Sequence, residues 1–462
     1  MPPPLLLLSR RRRISPLLIL FLVIISIWYL ALPPDSPIVL AVRFNLGRLL
    51  HRNGGAARLP ASLGRWPVHL PSEVGFLIKT GYGTRARITE QLKALKGTGG
   101  GGGLLGDEGR DYIVVGDWTH SGRDVHVHDA VKAVLEKDGF GMGAGGDEGA
   151  GRAARGALAT HPRLGKYRSL QGAVAAGHEE KALELGRKFG WELDALKFIT
   201  GMEMAFRRMP HKKWYVILDD DTFIIKDTLR LLLSHLNHNK PLYLGNAVGD
   251  YRARFAHGGS GVVLSGAAME ALFSHEHVVA EAYVRSLDET WGDRLVATTL
   301  QQVGVYLDER YSHLFNGEAP EWTRVGPRSA CSLVLSFHAL REPGAMARAA
   351  TKLATVADRP VLRGELWALF GSKERATEAD DHVGPGGDDE HVTIWGGVTD
   401  KEACRRKCKR WCFAWTYNAD SRRCHASPWF VVGSRPSHPS AKASGVNWSA
   451  VRPALQKCSL PT

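Results

Sequence analysis

The run Trp214-Tyr215-Val216-Ile217-Leu218-Asp219-Asp220-Asp221-Thr222-Phe223 constrains this chain more than any other stretch. Apolar, aromatic and β-branched residues lead straight into three consecutive carboxylates. A run this short suits a buried strand better than a helix. Three adjacent acids repel one another, so something positive has to hold them together. On an extended backbone Asp219 and Asp221 project to one side and Asp220 to the other. Two carboxylates together at the carboxyl end of a strand make a hard-oxygen site for Mg²⁺ or Mn²⁺, the usual partners of diphosphates. The competing reading is an acidic turn capping the amphipathic stretch from Asp227 to Leu236.

The surrounding pattern alternates strands with helices. Gly75–Gly81, Asp111–Asp117, Leu242–Gly245 and Ser332–Phe337 read as strands, and Phe255–Ser265 as a glycine loop entering another. Arg85–Leu95, Glu179–Met209 (broken at Gly190), a stretch from Gly266, Arg294–Val303 and Arg341–Phe370 read as helices. This order predicts an α/β domain with a mostly parallel sheet. Such sheets bind ligands beyond the carboxyl ends of their strands, where Asp117 and the three aspartates fall. The glycine-rich tracts 97–109 and 139–160 read as flexible insertions, because neither joins a strand to a helix as a phosphate loop does.

The net charge of +13 resembles a nucleic-acid footprint until it is located. Arg10 to Arg13 carry four of those charges. The segment from Trp395 onward carries nine, with 12 Lys/Arg against 3 Asp/Glu, so residues 14–394 are balanced. No basic face remains for the central domain, and nucleic acid is excluded as a partner. The four arginines precede an uncharged apolar run over 14–32, about the length that spans hydrocarbon. Trp28 and Tyr29 lie near its far end, and the positive flank stays cytoplasmic. We therefore expect an uncleaved single-pass type II anchor with the rest of the chain lumenal; a cleaved signal peptide has a shorter apolar core. Clustered cysteines and the sequon Asn447-Trp448-Ser449 agree with a secretory compartment.

Four motifs occur in order: Gly190-Trp191-Glu192-Leu193-Asp194-Ala195-Leu196-Lys197-Phe198, Lys213 to Ile224 around the three aspartates, Phe255-Ala256-His257-Gly258-Gly259-Ser260-Gly261, and Leu335-Ser336-Phe337-His338. Over about Val74 to Leu340 the chain resembles glycosyltransferase family 31, the fringe and core-1 β1,3-galactosyltransferase group, in a fungal-type branch. The resemblance implies a GT-A fold, a UDP-sugar donor, Mn²⁺, and inversion to a β linkage, β1,3 by the family's pattern. It implies Asp221 and His338 as metal ligands, Asp219 on the metal or the ribose, and Asp220 on the protein or the ribose. Thr80, Asp117, Asp194 and Lys197 match positions near the nucleotide. His257, Gly258 and Gly259 shape the pocket, with backbone exposed by the missing side chains. Trp291 and Trp322 are candidates to stack on a sugar or to lie in the core.

Inversion needs a base for the acceptor hydroxyl. Asp293, at a helix start, falls where the family has its acid. The relatives carry Glu-Asp where this chain has Gly292-Asp293, so Glu289 stays a second candidate.

Five of the six cysteines lie beyond residue 391. Cys404, Cys408, Cys412 and Cys424, with Trp411 to Tyr417 between them, resemble a PAN/apple module. That resemblance implies the pairs Cys404–Cys424 and Cys408–Cys412. It leaves Cys458 without its usual partner, for which Cys331 is one candidate. Zinc is the alternative for such a cluster.

The expected organisation is a basic tail (1–13), an anchor (14–32), a stem (33–71), a GT-A domain (72–370), a linker (371–390) and an apple-like module (391–462). The expected function is a Golgi glycosyltransferase acting on a glycan or glycoprotein acceptor. The rival is a catalytically silent transferase fold that binds glycan or protein through the apple-like module.

Overall fold

The computed structural model describes residues 31–54, 59, 63–97, 103–136, 160–356, 358–371, 380–384, 389–433 and 442–458, with Leu20 and Val23. The expected anchor over 14–32 lies outside the described residues except for Leu20, Val23, Ala31 and Leu32; the insertion 139–160 does so except for Thr160. Among the described residues no helix is long and apolar enough to cross a membrane.

Apolar runs without polar alternation need both faces covered, and the chain supplies the cover. The main sheet comprises β1 (Val74–Lys79), β2 (Tyr112–Gly116), β3 (His120–Ser121), β4 (His126–Asp129), β5 (Trp214–Asp219), β7 (Tyr243–Gly245) and β10 (Val262–Ser265), in the order β3-β4-β2-β1-β5-β10-β7. Strands β4, β2, β1 and β5 are parallel neighbours, while β10 runs antiparallel between β5 and β7. Side chains alternate by the period of two. Phe76, Ile78, Trp214, Val216 and Leu218 pack on one face with Ile88, Leu92, Leu229 and Leu232. Leu77, Tyr215, Ile217 and Val262 pack on the other with Phe198, Ile199, Met202 and Leu295. The α/β sandwich with a mostly parallel sheet is as expected, and β1 and β5 end together at its centre.

Beyond β5 the chain does not stay extended. The Thr222 amide donates to the Asp219 carbonyl at 3.1 Å, making a turn of the three aspartates. Buried Gln91, from helix Ala86–Lys96, donates to the Asp219 and Thr222 carbonyls at 2.7 and 2.8 Å and pins that turn. Strand β6 (Phe223–Ile224) then pairs with β12 (Ser336–Phe337), delivering His338 beside the aspartates from more than a hundred residues away. Two further short pairs, β8 (Ala247–Val248) with β9 (Phe255–Ala256) and β11 (Leu333–Val334) with β13 (Val361–Leu362), shape the rim.

Several local expectations are corrected. Glu179–Arg208 is one continuous helix of 30 residues, not broken at Gly190. A single interior glycine costs about 1 kcal/mol, and burial of Leu193, Leu196, Phe198, Ile199 and Met202 outweighs it. The stem contains a helix, Pro37–Gly54, where few helix signals were read. Arg341–Phe370 is two helices, Ala345–Ala354 and Leu366–Phe370, with β13 between them, preceded by Pro360, which lacks the helical N–H donor.

The C-terminal module is a four-stranded antiparallel sheet, β14 (Thr393–Trp395), β15 (Ala414–Asn418), β16 (Arg423–Ser427) and β17 (Lys442–Val446), ordered β14-β16-β15-β17. Helix Lys401–Lys407 is capped by Asp400, which accepts from the Ala403 amide at 2.7 Å. The pairs Cys404–Cys424 and Cys408–Cys412 form disulfides as the resemblance implied, so these thiols do not hold zinc. Cys331 bonds Cys458 across 127 residues, tying the module to the α/β domain. The expected linker is part of this junction where it is described. His382 is fully buried, its amide donates to Ser444 Oγ at 2.9 Å, and Val383 packs in the core with Val325 and Phe430.

Candidate functional site

A cleft of about 690 Å³ opens beyond the carboxyl ends of β1 and β5, within the size usual for small-molecule sites. Its lining includes Lys79, Thr80, Asp194, Lys197, all three aspartates, His257 to Gly259, Trp291, Asp293, His338 and Arg341.

The three aspartates separate by environment. Ligand atoms of Asp219, Asp221 and His338 all lie within 4.8 Å of one another. Asp221 Oδ1 is 3.2 Å from His338 Nε2, and its Oδ2 accepts from Arg341 Nε at 2.8 Å. Burial acts against it, yet His338 and Arg341 hold the Asp221 carboxyl well below the usual carboxylate range. His338 Nδ1 is 3.2 Å from the Gly317 carbonyl. A proton on Nδ1 donated there leaves Nε2 directed at Asp221, the arrangement that metal-binding histidines adopt. Asp220 turns the other way. Its Oδ2 accepts from the Thr80 and Thr84 hydroxyls at 2.7 and 2.5 Å, and burial pushes its carboxyl up to about 6. The same-side geometry of Asp219 and Asp221 therefore comes from a pinned turn rather than from strand alternation.

Positive charge holds this cluster together. Lys79, almost wholly buried at the end of β1, lies 2.9 Å from both Asp194 and Asp219, with its ammonium 3.4 Å from the centre of the Phe198 ring. Burial opposes its charge, but Asp194 and Asp219 raise its pKa. Lys197 donates to the Thr80 carbonyl at 2.8 Å and sits 3.3 Å from Asp194. Arg87 adds a guanidinium 3.4 Å from Asp220. Lys79, Arg87 and Arg341 were missed in the sequence. A lysine closing the apolar run of β1 was the one available signal; the two arginines carry none.

Asp293 stands in the first turn of helix Gly292–Gln302. Its Oδ2 accepts from the Gly258 amide at 2.8 Å and its Oδ1 from the Arg294 amide at 2.9 Å. Burial pushes its carboxyl up, and the Gly258 N–H only partly counters that. A half-buried, oriented carboxylate of raised basicity suits a general base. The glycine loop serves two residues at once, because a Cβ on Gly259 would overlap the His338 ring and the Gly258 amide holds Asp293. Gly292 lies so close to Phe198 that any side chain would overlap its ring. Glu289 is not in the cleft: it pairs with Arg294 and accepts from the Thr290 amide at 2.8 Å, so it shapes the loop before the helix. Asp293 lines the cleft and Glu289 does not.

Thr80, Asp194 and Lys197 line the cleft. Asp117 does not: it is fully buried, and its Oδ1 accepts from the Tyr82 amide at 2.8 Å, so it braces the loop after β1 instead of meeting a ligand. His257 lines the cleft, its ring 5.2 Å edge-on from His338 and its Nδ1 2.8 Å from Ser260 Oγ. Trp291 is exposed at the mouth, as is Trp191 on the long helix. Trp322 packs toward the module core. Asn447 is committed to the module: its Nδ2 faces the Cys408, Lys409 and Cys412 carbonyls at 3.1 to 3.3 Å.

Residues 177–314 match the family model described as Fringe-like. The matched segment contains the long helix, the three aspartates, the glycine loop and Asp293; Lys79, Thr80 and His338 lie outside it.

Proposed function

We propose, from the Fringe-like glycosyltransferase segment over residues 177–314, that the chain transfers a sugar from a UDP-sugar to a hydroxyl of a glycan or glycoprotein acceptor. In this reading the reaction inverts the anomeric centre, gives a β linkage of the β1,3 type, and depends on Mn²⁺ or a similar divalent ion. The observation that carries it is the convergence of Asp219, Asp221 and His338 in the same cleft as Asp293.

Two carboxylates and an imidazole at this spacing fit a hard or borderline divalent ion, and the Gly317 carbonyl fixes the tautomer that a ligating His338 requires. Bound there, such an ion supplies Lewis-acid stabilisation of a departing diphosphate. The chain's own residues do the rest. Lys79 and Lys197 keep Asp194 ionised, and Lys79 holds Asp219 in place at 2.9 Å. Thr80 and Thr84 turn Asp220 away from the ligand cluster. Asp293, held by the Gly258 amide, accepts the proton of the attacking acceptor hydroxyl.

The chain is further read as a Golgi type II membrane protein anchored by 14–32, with the basic module at 391–462 as an apple-like arm that recruits acceptor. A donor screen following UDP release tests the central reading. Turnover with one UDP-sugar, lost with EDTA and in Asp221→Ala, is expected. No turnover with any donor and no Mn²⁺-linked UDP binding would leave the silent, binding-protein reading.

A further inference from the structure

The helix Pro37–Gly54 has two faces, and the catalytic domain uses one. Val39 and Leu40 are buried, the Arg43 guanidinium lies 3.8 Å from the centre of the Tyr306 ring, and Tyr306 Oη donates to the Pro34 carbonyl at 2.8 Å. The Phe44 ring lies 6.5 Å from Tyr251, in the loop that joins β8 to β9. The ends of that loop, Val248 and Phe255, line the cleft. The helix is thus seated on the rim of the site.

The other face is apolar and uncovered. Ile38, Val42, Leu46 and Leu49 are 47, 45, 52 and 59% exposed. At 100° per residue, positions i, i+4, i+8 and i+11 fall within one arc of about 80°. A continuous apolar stripe is out of place on a solvated surface. The helix has no acidic residue, and exposed Arg48 lies about 80° around the helix from the edge of the stripe, its guanidinium 5.5 Å from the centre of the Phe44 ring.

We propose that this face lies on a bilayer surface, with the four apolar side chains in the interfacial region and the arginine at anionic head groups. The chain length supports that occupant. Only Pro33 to Ser36 separate the helix from the apolar run over 14–32, and four residues reach at most about 14 Å. Charge separates lipid from a second copy. Pairing two such helices in parallel sets arginine against arginine with no carboxylate to answer it, whereas anionic lipid supplies the missing charge. The placement rests on the proposed anchor. It makes the stem a mount that fixes the cleft relative to the membrane.

All six cysteines are in disulfides, so Leu46→Cys in the full chain introduces a single thiol for a fluorescent label. The labelled protein is reconstituted in nanodiscs of phosphatidylcholine with phosphatidylserine. Its membrane retention in alkaline carbonate is measured on the same preparation. Expected are carbonate-resistant protein, quenching by doxyl-labelled lipid, and protection from aqueous iodide. Val42→Asp in the labelled chain should lose the lipid quenching. Carbonate-resistant protein quenched only by iodide overturns the docking and leaves the anchor standing. Extraction by carbonate overturns both. Protection from both quenchers with dimers on cross-linking assigns the face to a second copy and overturns the proposal.

Discussion

The Phe198 ring occupies the space that a side chain at residue 292 would need. The same ring carries the Lys79 ammonium at 3.4 Å and lies where a Cβ on Gly258 would approach it at 3.1 Å. One aromatic side chain therefore sets Lys79, the glycine loop and the helix start that bears Asp293. The glycine at 292 is the complement of Phe198.

Gly292→Ala should displace the start of the Asp293 helix. Overpacking of this kind costs about 1–3 kcal/mol. We expect a lower melting temperature and a fall in kcat, with KM for the donor little changed. Adding Phe198→Leu should restore part of kcat. Steady-state kinetics on the two variants check this, and a fall in donor affinity alone would place the coupling elsewhere.

Asp293→Asn should lower kcat/KM by about 10²–10⁴, the usual contribution of a general base; Glu289→Gln should retain most activity. Burial raises the Asp293 pKa, and the base works only when ionised. Activity should thus fall as pH drops through a value above the ordinary carboxylate range. A pH–rate profile that breaks in the ordinary range would contradict this environment.

Calorimetry should show Mn²⁺ strengthening UDP binding in the native chain, and no such linkage in Asp221→Ala. His338→Ala should weaken the linkage without abolishing it, because two carboxylates remain. Unchanged Mn²⁺ dependence in both variants would move the metal away from this cluster.

Asp220 tests the sign of a buried charge. Its pKa is raised from the ordinary carboxylate value to about 6 in the folded chain. Its contribution to stability is therefore fullest below the unfolded pKa and is lost as pH rises through about 6. The shift of about two units corresponds to roughly 3 kcal/mol as an upper bound. Asp220→Asn keeps acceptors for Thr80 and Thr84, so the metal-free variant should melt higher than the parent at pH 7.5 and not at pH 4. Thermal unfolding at the two pH values decides it.

The junction of the two domains is held covalently. Cys331→Ser with Cys458→Ser should cost about 2–5 kcal/mol, seen as earlier unfolding of the module by fluorescence of its tryptophans. Asn447 Nδ2 faces three carbonyls there, so mass spectrometry of the folded, secreted lumenal part should find no glycan on Asn447. A fully occupied site would show that these contacts form only after modification.

Much of the site was legible because it is local. The apolar run into Asp219, the glycines at 258 and 259 and the acid at 293 each announce themselves within a few residues. The four module cysteines do so through their spacing. Asp117 misled because its place at a strand end looks the same whether the carboxylate meets a ligand or a backbone amide. Helix Pro37–Gly54 was overlooked because half of its apolar face stays exposed.

By itself the sequence determined the α/β alternation, the strand that ends in three acids, and most of the residue types that meet in the cleft. These follow from periodicity and from charge confined to short stretches. The tertiary structure alone decided which aspartates gather with His338, since a turn pinned by Gln91 and hydroxyls from another strand end set that choice. It also decided that Asp293 and not Glu289 enters the cleft, that Phe198 claims the space at Gly292, and that Cys331 reaches Cys458. Each is a contact between residues far apart in the chain, where packing and desolvation act and local pattern carries no information.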